Sequence, residues 1–118
     1  MLNSALLNII EESGMGVLTL TETIEEDEFL RSRLTRQEVW RLTAAMAKAI
    51  NSLPEATRAR LPELDWEGWG VLARQLDQGP EAEGTALWFA SRALIPATLT
   101  WLRIYRTNEP DLFAFTEG

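Results

Sequence analysis

Two carboxylate clusters and one run of cations are the residues whose spacing offers chemistry. Glu63, Asp65 and Glu67 alternate around Trp66, and Glu25, Glu26, Asp27 and Glu28 are consecutive. Neighbouring carboxylates can hold a hard cation or pass a proton, but each cluster has a simpler reading. Asp65 suits the N-cap of a helix, with Glu67 favourable at the positive end of its dipole. A calcium loop spaces its oxygen ligands around a glycine turn, so the 25–28 run reads as the solvated first turn of a helix. No metal or cofactor is expected. Arg31, Arg33, Arg36 and Arg41 surround Trp40, and Arg36 stands four residues before Trp40, where a guanidinium can stack on an indole. A solvated helix face is the preferred reading there, with RNA or partner contact as the alternative.

The rest of the inventory is notable for what it lacks. The 118 residues contain no cysteine, hence no disulfide, no thiolate nucleophile and no zinc site of the usual kind. They contain no histidine, the commonest proton shuttle near neutral pH. Apolar residues make up 46% and charged residues 25%, as in an ordinary globule, and the length suits one domain. No apolar run approaches the ~20 residues of a membrane span, and no basic region precedes an apolar core at the N-terminus. The expectation is a cytoplasmic protein with no membrane contact. The net charge is −7 and unevenly spread: residues 1–28 hold seven acids and no base, whereas residues 31–60 hold seven bases and only Glu38 and Glu55. A nucleic-acid binder carries a dominant basic field, so a nucleic-acid partner is not expected. The pattern suits self-association or a protein partner.

Helical spacing positions these groups. Leu2, Leu6, Ile9, Ser13, Val17, Leu20 and Ile24 share one face of a long first helix. Gly14, Gly16 and the alternation Val17-Leu18-Thr19-Leu20-Thr21 oppose it, so a break at the glycines or an extended 14–21 stays open; helix is preferred, because a lone strand would have nothing to pair with. Thr35 with Glu38 reads as a capping box for a second helix carrying Val39, Leu42, Met46, Ala49, Ile50 and Leu53 until Pro54. Pro54 and Pro62 bracket a short segment. Asp65 opens a third long helix, with Trp66, Trp69, Leu72, Ala73 and Leu76 on one face, stopped at Gly79-Pro80. Thr85 starts the last helix, with Leu87, Trp88, Leu94, Ile95, Leu99 and Leu102, and Pro96 should kink it. Trp66, Trp69 and Trp88 are assigned to the core. Trp40 and Trp101 lie off the stripes and, with Arg36, are the candidate interface residues. The expected fold is all-α, an up-and-down bundle of four or five helices over residues 1–106, with a tail at 107–118 that includes Phe113 and Phe115.

The order Leu53-Pro54-Glu55, Pro62-Glu63-Leu64, Trp66 resembles the HEPN superfamily of helical domains, specifically the HepT-like toxins that accompany a minimal nucleotidyltransferase. Phe29, Leu30, Ser32, Thr35, Val39, Leu42, Ala45 and Ile50 upstream, and Trp88, Leu94, Pro96, Leu99 and Leu102 downstream, follow the same family pattern. In that family the next helix carries arginine, asparagine, histidine and tyrosine. Without a gap, those positions here are Ala73, Arg74, Gln78 and Pro80. A one-residue slip moves Arg74 onto the arginine but leaves Gly79 at the histidine. The resemblance implies a ribonuclease scaffold whose catalytic motif has degenerated. It also implies a homodimer and a nucleotidyltransferase-like partner that modifies the tyrosine. The only tyrosine in this chain is Tyr105. The function expected from residues and resemblance together is a non-catalytic protein-interaction module, not an enzyme. The alternatives are an RNA- or ligand-binding regulator that kept the cleft without cleavage, and a ribonuclease with an unconventional residue set. Arg74 and the basic 31–41 segment decide between the first two: convergence on one cleft favours RNA, dispersion favours protein contact.

Overall fold

Gly14 explains how the first helix meets the rest of the chain. In the computed structural model, which describes residues 2–79 and 84–114, α1 spans Leu2–Thr21 without a break. A Cβ built on Gly14 would lie 3.0 Å from Leu99 Cδ2 and 3.1 Å from Met46 Cε. The glycine is therefore where two later helices press against α1, and it does not interrupt the helix. Its propensity cost of about 1 kcal/mol is offset by the packing it permits. The buried face runs through Leu7, Ile10, Ser13, Gly14, Val17 and Thr21. This corrects the expected stripe by about one residue: Ile9 is 42% exposed and Leu20 36%, and the helix stops at Thr21, short of Ile24.

A short helix α2 (Glu26–Arg31), with Glu26, Asp27 and Glu28 in its first turn, buries Phe29 against Trp88, ring centroids 5.3 Å apart. Ser32 ends α2 and caps α3 (Arg33–Asn51): its Oγ accepts the Thr35 N–H at 3.4 Å, and its hydroxyl donates to Thr35 Oγ1 at 2.8 Å. The cap is thus three residues ahead of the expected Thr35, and Glu38 pairs with Arg41 instead of closing a capping box. Val39, Met46, Ala49, Ile50 and Leu53 are buried as their spacing predicts, Leu42 only partly. The segment between Pro54 and Pro62 is α4 (Glu55–Arg60). Arg58 on α4 donates to Asn51 O at 2.8 Å and Leu53 O at 3.1 Å, satisfying carbonyls that the end of α3 leaves open.

Asp65 caps α5 (Trp66–Leu76) as expected, its Oδ1 accepting the Gly68 N–H at 2.8 Å. Past its end Gly79 adopts φ +98°, a conformation that L side chains resist. The last long element is continuous: α6 (Gly84–Phe89), a π turn at Ala90–Leu94, then α7 (Ile95–Asn108). The disruption expected at Pro96 takes the form of this wider turn, which precedes a residue lacking an amide and crowding the turn before it. Trp69 is fully buried and donates its indole N–H to Thr98 Oγ1 at 3.0 Å; Thr98 in turn donates to Leu94 O at 2.8 Å, tying α5 to the π turn. Trp66 and Trp88, assigned to the core, are half-buried at its edge under the guanidinium groups of Arg58 and Arg92.

The chain then turns into α8 (Pro110–Phe113), which buries Leu112 against the bundle. Arg60 reaches Glu109 at 2.5 Å and Asp111 at 2.8 Å, and Arg106 lies 4.6 Å over the Phe113 ring. Residues 107–114 are therefore packed elements. All regular structure among the described residues is helical, forming a bundle 46 × 26 × 24 Å in extent. No helix there is long and apolar enough to cross a membrane.

Candidate functional site

Small side chains on α3 and α5 leave a groove at the position where the motif helix packs. Ala44 and Ala47 face Gly70 and Ala73 across about 740 Å³, with Trp40 as a wall and Lys48, Arg74 and Asp77 also lining the groove. Trp40 is held there by its indole N–H, which donates to Leu76 O at 3.0 Å. Arg36 does not stack on Trp40, as their spacing would allow, but turns the other way and donates to Leu30 O. The structure thus brings Ala73, Arg74 and Trp40 together. Gln78 is exposed beyond the helix end, its backbone N–H on Gln75 O at 3.2 Å, and Pro80 lies outside the described residues. Trp101 is elsewhere, on α7, stacked on Tyr105 with centroids 5.9 Å apart.

The cations of the 31–41 segment do not gather on this groove. Of the basic 31–41 segment, Arg31 pairs with Asp27 at 3.6 Å, Arg41 pairs with Glu38, and Arg36 serves the Leu30 carbonyl. Arg41 holds the Glu38 carboxyl below its ordinary value, chiefly through their hydrogen bond. None of these arginines lines the groove with Arg74. The ionisable groups lining the groove are Lys48, Arg74 and Asp77.

The carboxylates around Trp66 are equally dispersed. Asp65 is occupied as a cap, and the Glu63 carboxylate accepts the Tyr105 hydroxyl, which itself accepts the Glu63 N–H at 2.9 Å. Burial and then the Glu63 hydrogen bond push the Tyr105 hydroxyl up to about 12. Among the described residues no three acids are placed to share a metal ion. Glu63 and Tyr105 are 42 positions apart, so no local pattern could have paired them. A second furrow lies between α5 and α6, and its one sequence signal is Phe89, an aromatic off the stripe of the last helix.

No family model, curated protein or solved structure matches this chain. The likeness to HEPN domains therefore stands on the quoted motif residues themselves.

Proposed function

We propose that this chain is a non-catalytic, HEPN-like protein-interaction module of the cytoplasm, working as a homodimer and alongside a nucleotidyltransferase-like protein. The observation that carries this reading is the dispersal of its cations. RNA binding draws its affinity from neutralised phosphates, yet Arg31, Arg41 and Arg36 of the 31–41 segment are spent on Asp27, Glu38 and the Leu30 carbonyl, apart from Arg74. The motif positions point the same way. Ala73 and Gln78 stand where the resemblance implies arginine and histidine, and neither side chain can act as a base. Tyr105 supports it too, because a buried hydroxyl bonded to Glu63 is withdrawn from any modifying partner.

The test is incubation with structured and single-stranded RNA, with and without magnesium. Both RNAs are expected to stay intact. Cleavage that co-elutes with the protein and disappears in Arg74→Ala overturns the reading. Binding without cleavage, falling steeply with salt, would favour a regulator that kept the groove.

A further inference from the structure

We propose that the furrow between α5 and α6 docks a basic amphipathic helix from a second protein. This deepens the interaction-module reading and rests on it. The furrow encloses about 800 Å³. Val71 and Leu72 line it from α5, and Phe89, Ala90 and Leu94 line it from α6 and the π turn. Phe89 is 65% exposed and Val71 41%. Two large apolar side chains exposed along one furrow form the kind of apolar surface that marks a contact site. The π turn widens the helix beside Phe89, and such turns recur at functional sites.

Charge selects the occupant. Asp65, whose Oδ1 accepts the Gly68 N–H, and Glu67 also line this furrow, and neither forms an ion pair among the described residues. A segment with apolar residues at helical spacing would fill the furrow, and lysines or arginines in it would meet the two carboxylates. A second copy, with its net charge of −7, is a poorer match for two carboxylates than a basic partner.

The test uses two fluorescent amphipathic helical peptides of roughly 15 residues, one built of leucine and lysine and the other of leucine and glutamate. The full chain is titrated into each and anisotropy is read at about 0.15 M salt. Saturable binding of the lysine peptide alone is expected. Phe89→Asp and Glu67→Lys should each weaken it about tenfold or more. Glu22→Lys, the same charge change at an exposed site off the furrow, should weaken it less than about twofold. Val71→Asp repeats the test on the facing wall, and circular dichroism verifies that each variant is folded. Absence of saturable binding, equal binding of the glutamate peptide, or equal loss in Glu22→Lys overturns the proposal. So does a dimer that Phe89→Asp converts to monomer, since the furrow would then hold a second copy. None of these outcomes touches the RNA assay, so the proposal and the module reading fail separately.

Discussion

Tyr105 uses its hydroxyl inside the fold, on the backbone and carboxylate of Glu63. Tyr105→Phe leaves a Glu63 amide and carboxylate without that partner and should cost about 1–2 kcal/mol at neutral pH, read as a lower urea midpoint. The pH dependence has a definite sign. Folding raises this hydroxyl from about 10 to about 12, favouring its protonated form. Its stabilisation is full below the unfolded value and is lost as pH rises through the folded one. Wild-type urea midpoints should therefore decline between about pH 10 and about pH 12 by more than those of Tyr105→Phe; equal declines would refute the coupling. Thr43 poses the opposite case. It is fully buried, and its Oγ1 has no hydrogen-bond partner among the described residues. Thr43→Val replaces an unsatisfied hydroxyl with a methyl of similar shape and should stabilise by about 1 kcal/mol. A lower denaturation midpoint would show that the hydroxyl has a partner after all.

Among the elements, α1 shows how one residue type does two jobs. At Gly14 the neighbours of an added Cβ are Leu99 at 3.0 Å and Met46 at 3.1 Å, on two different helices. Gly14→Val must push both away and should destabilise by about 1–3 kcal/mol. At Gly16 the close neighbour is one side-chain end, Leu42 Cδ1 at 3.0 Å, and Leu42 is only partly buried. It can turn aside, so Gly16→Ala should recover up to about 1 kcal/mol of helix propensity. Thermal melts of the two variants should therefore move in opposite directions; a shared direction would mean that the packing around α1 is misassigned. The start of α3 is set by a competition between two caps. Thr35 with Glu38 has the spacing of a capping box, but Ser32 has the same reach to Thr35, and Glu38 pairs with Arg41. Two caps compete within three residues, and the turn out of α2 selects Ser32.

For the whole molecule, charge distribution bears on assembly. Seven acids lie in residues 1–28, while Lys48 and Arg74 flank the α3–α5 groove. The HEPN resemblance implies a dimer, and two copies could set the acidic 1–28 segment of one against the basic 31–60 segment of the other. Light scattering after size exclusion at micromolar concentration should then report about twice the 13.3 kDa chain mass. A monomer would remove the dimer from the proposed function and weaken the resemblance. Raising the salt should loosen the dimer if these charges hold it together.

What the amino-acid sequence determined by itself is what short-range physics encodes. The α class, the stop at Pro54, the Asp65 cap and the end at Gly79 each depend on residues within about four positions of one another, and all were legible. So was the absence of a histidine or thiol to do chemistry. Tertiary structure decided the rest, because it joined residues that no local window relates. Gly14 meets Leu99, which sets the buried side of α1, and Tyr105 finds Glu63. Arg60 draws α8 onto the body of the chain. The spacing of apolar residues names a helical face to within about one position, and only the neighbouring helices choose which edge of that face goes inside. The same holds for the grooves: Ala73 and Phe89 are read easily as residues, but a groove exists only once two helices stand side by side.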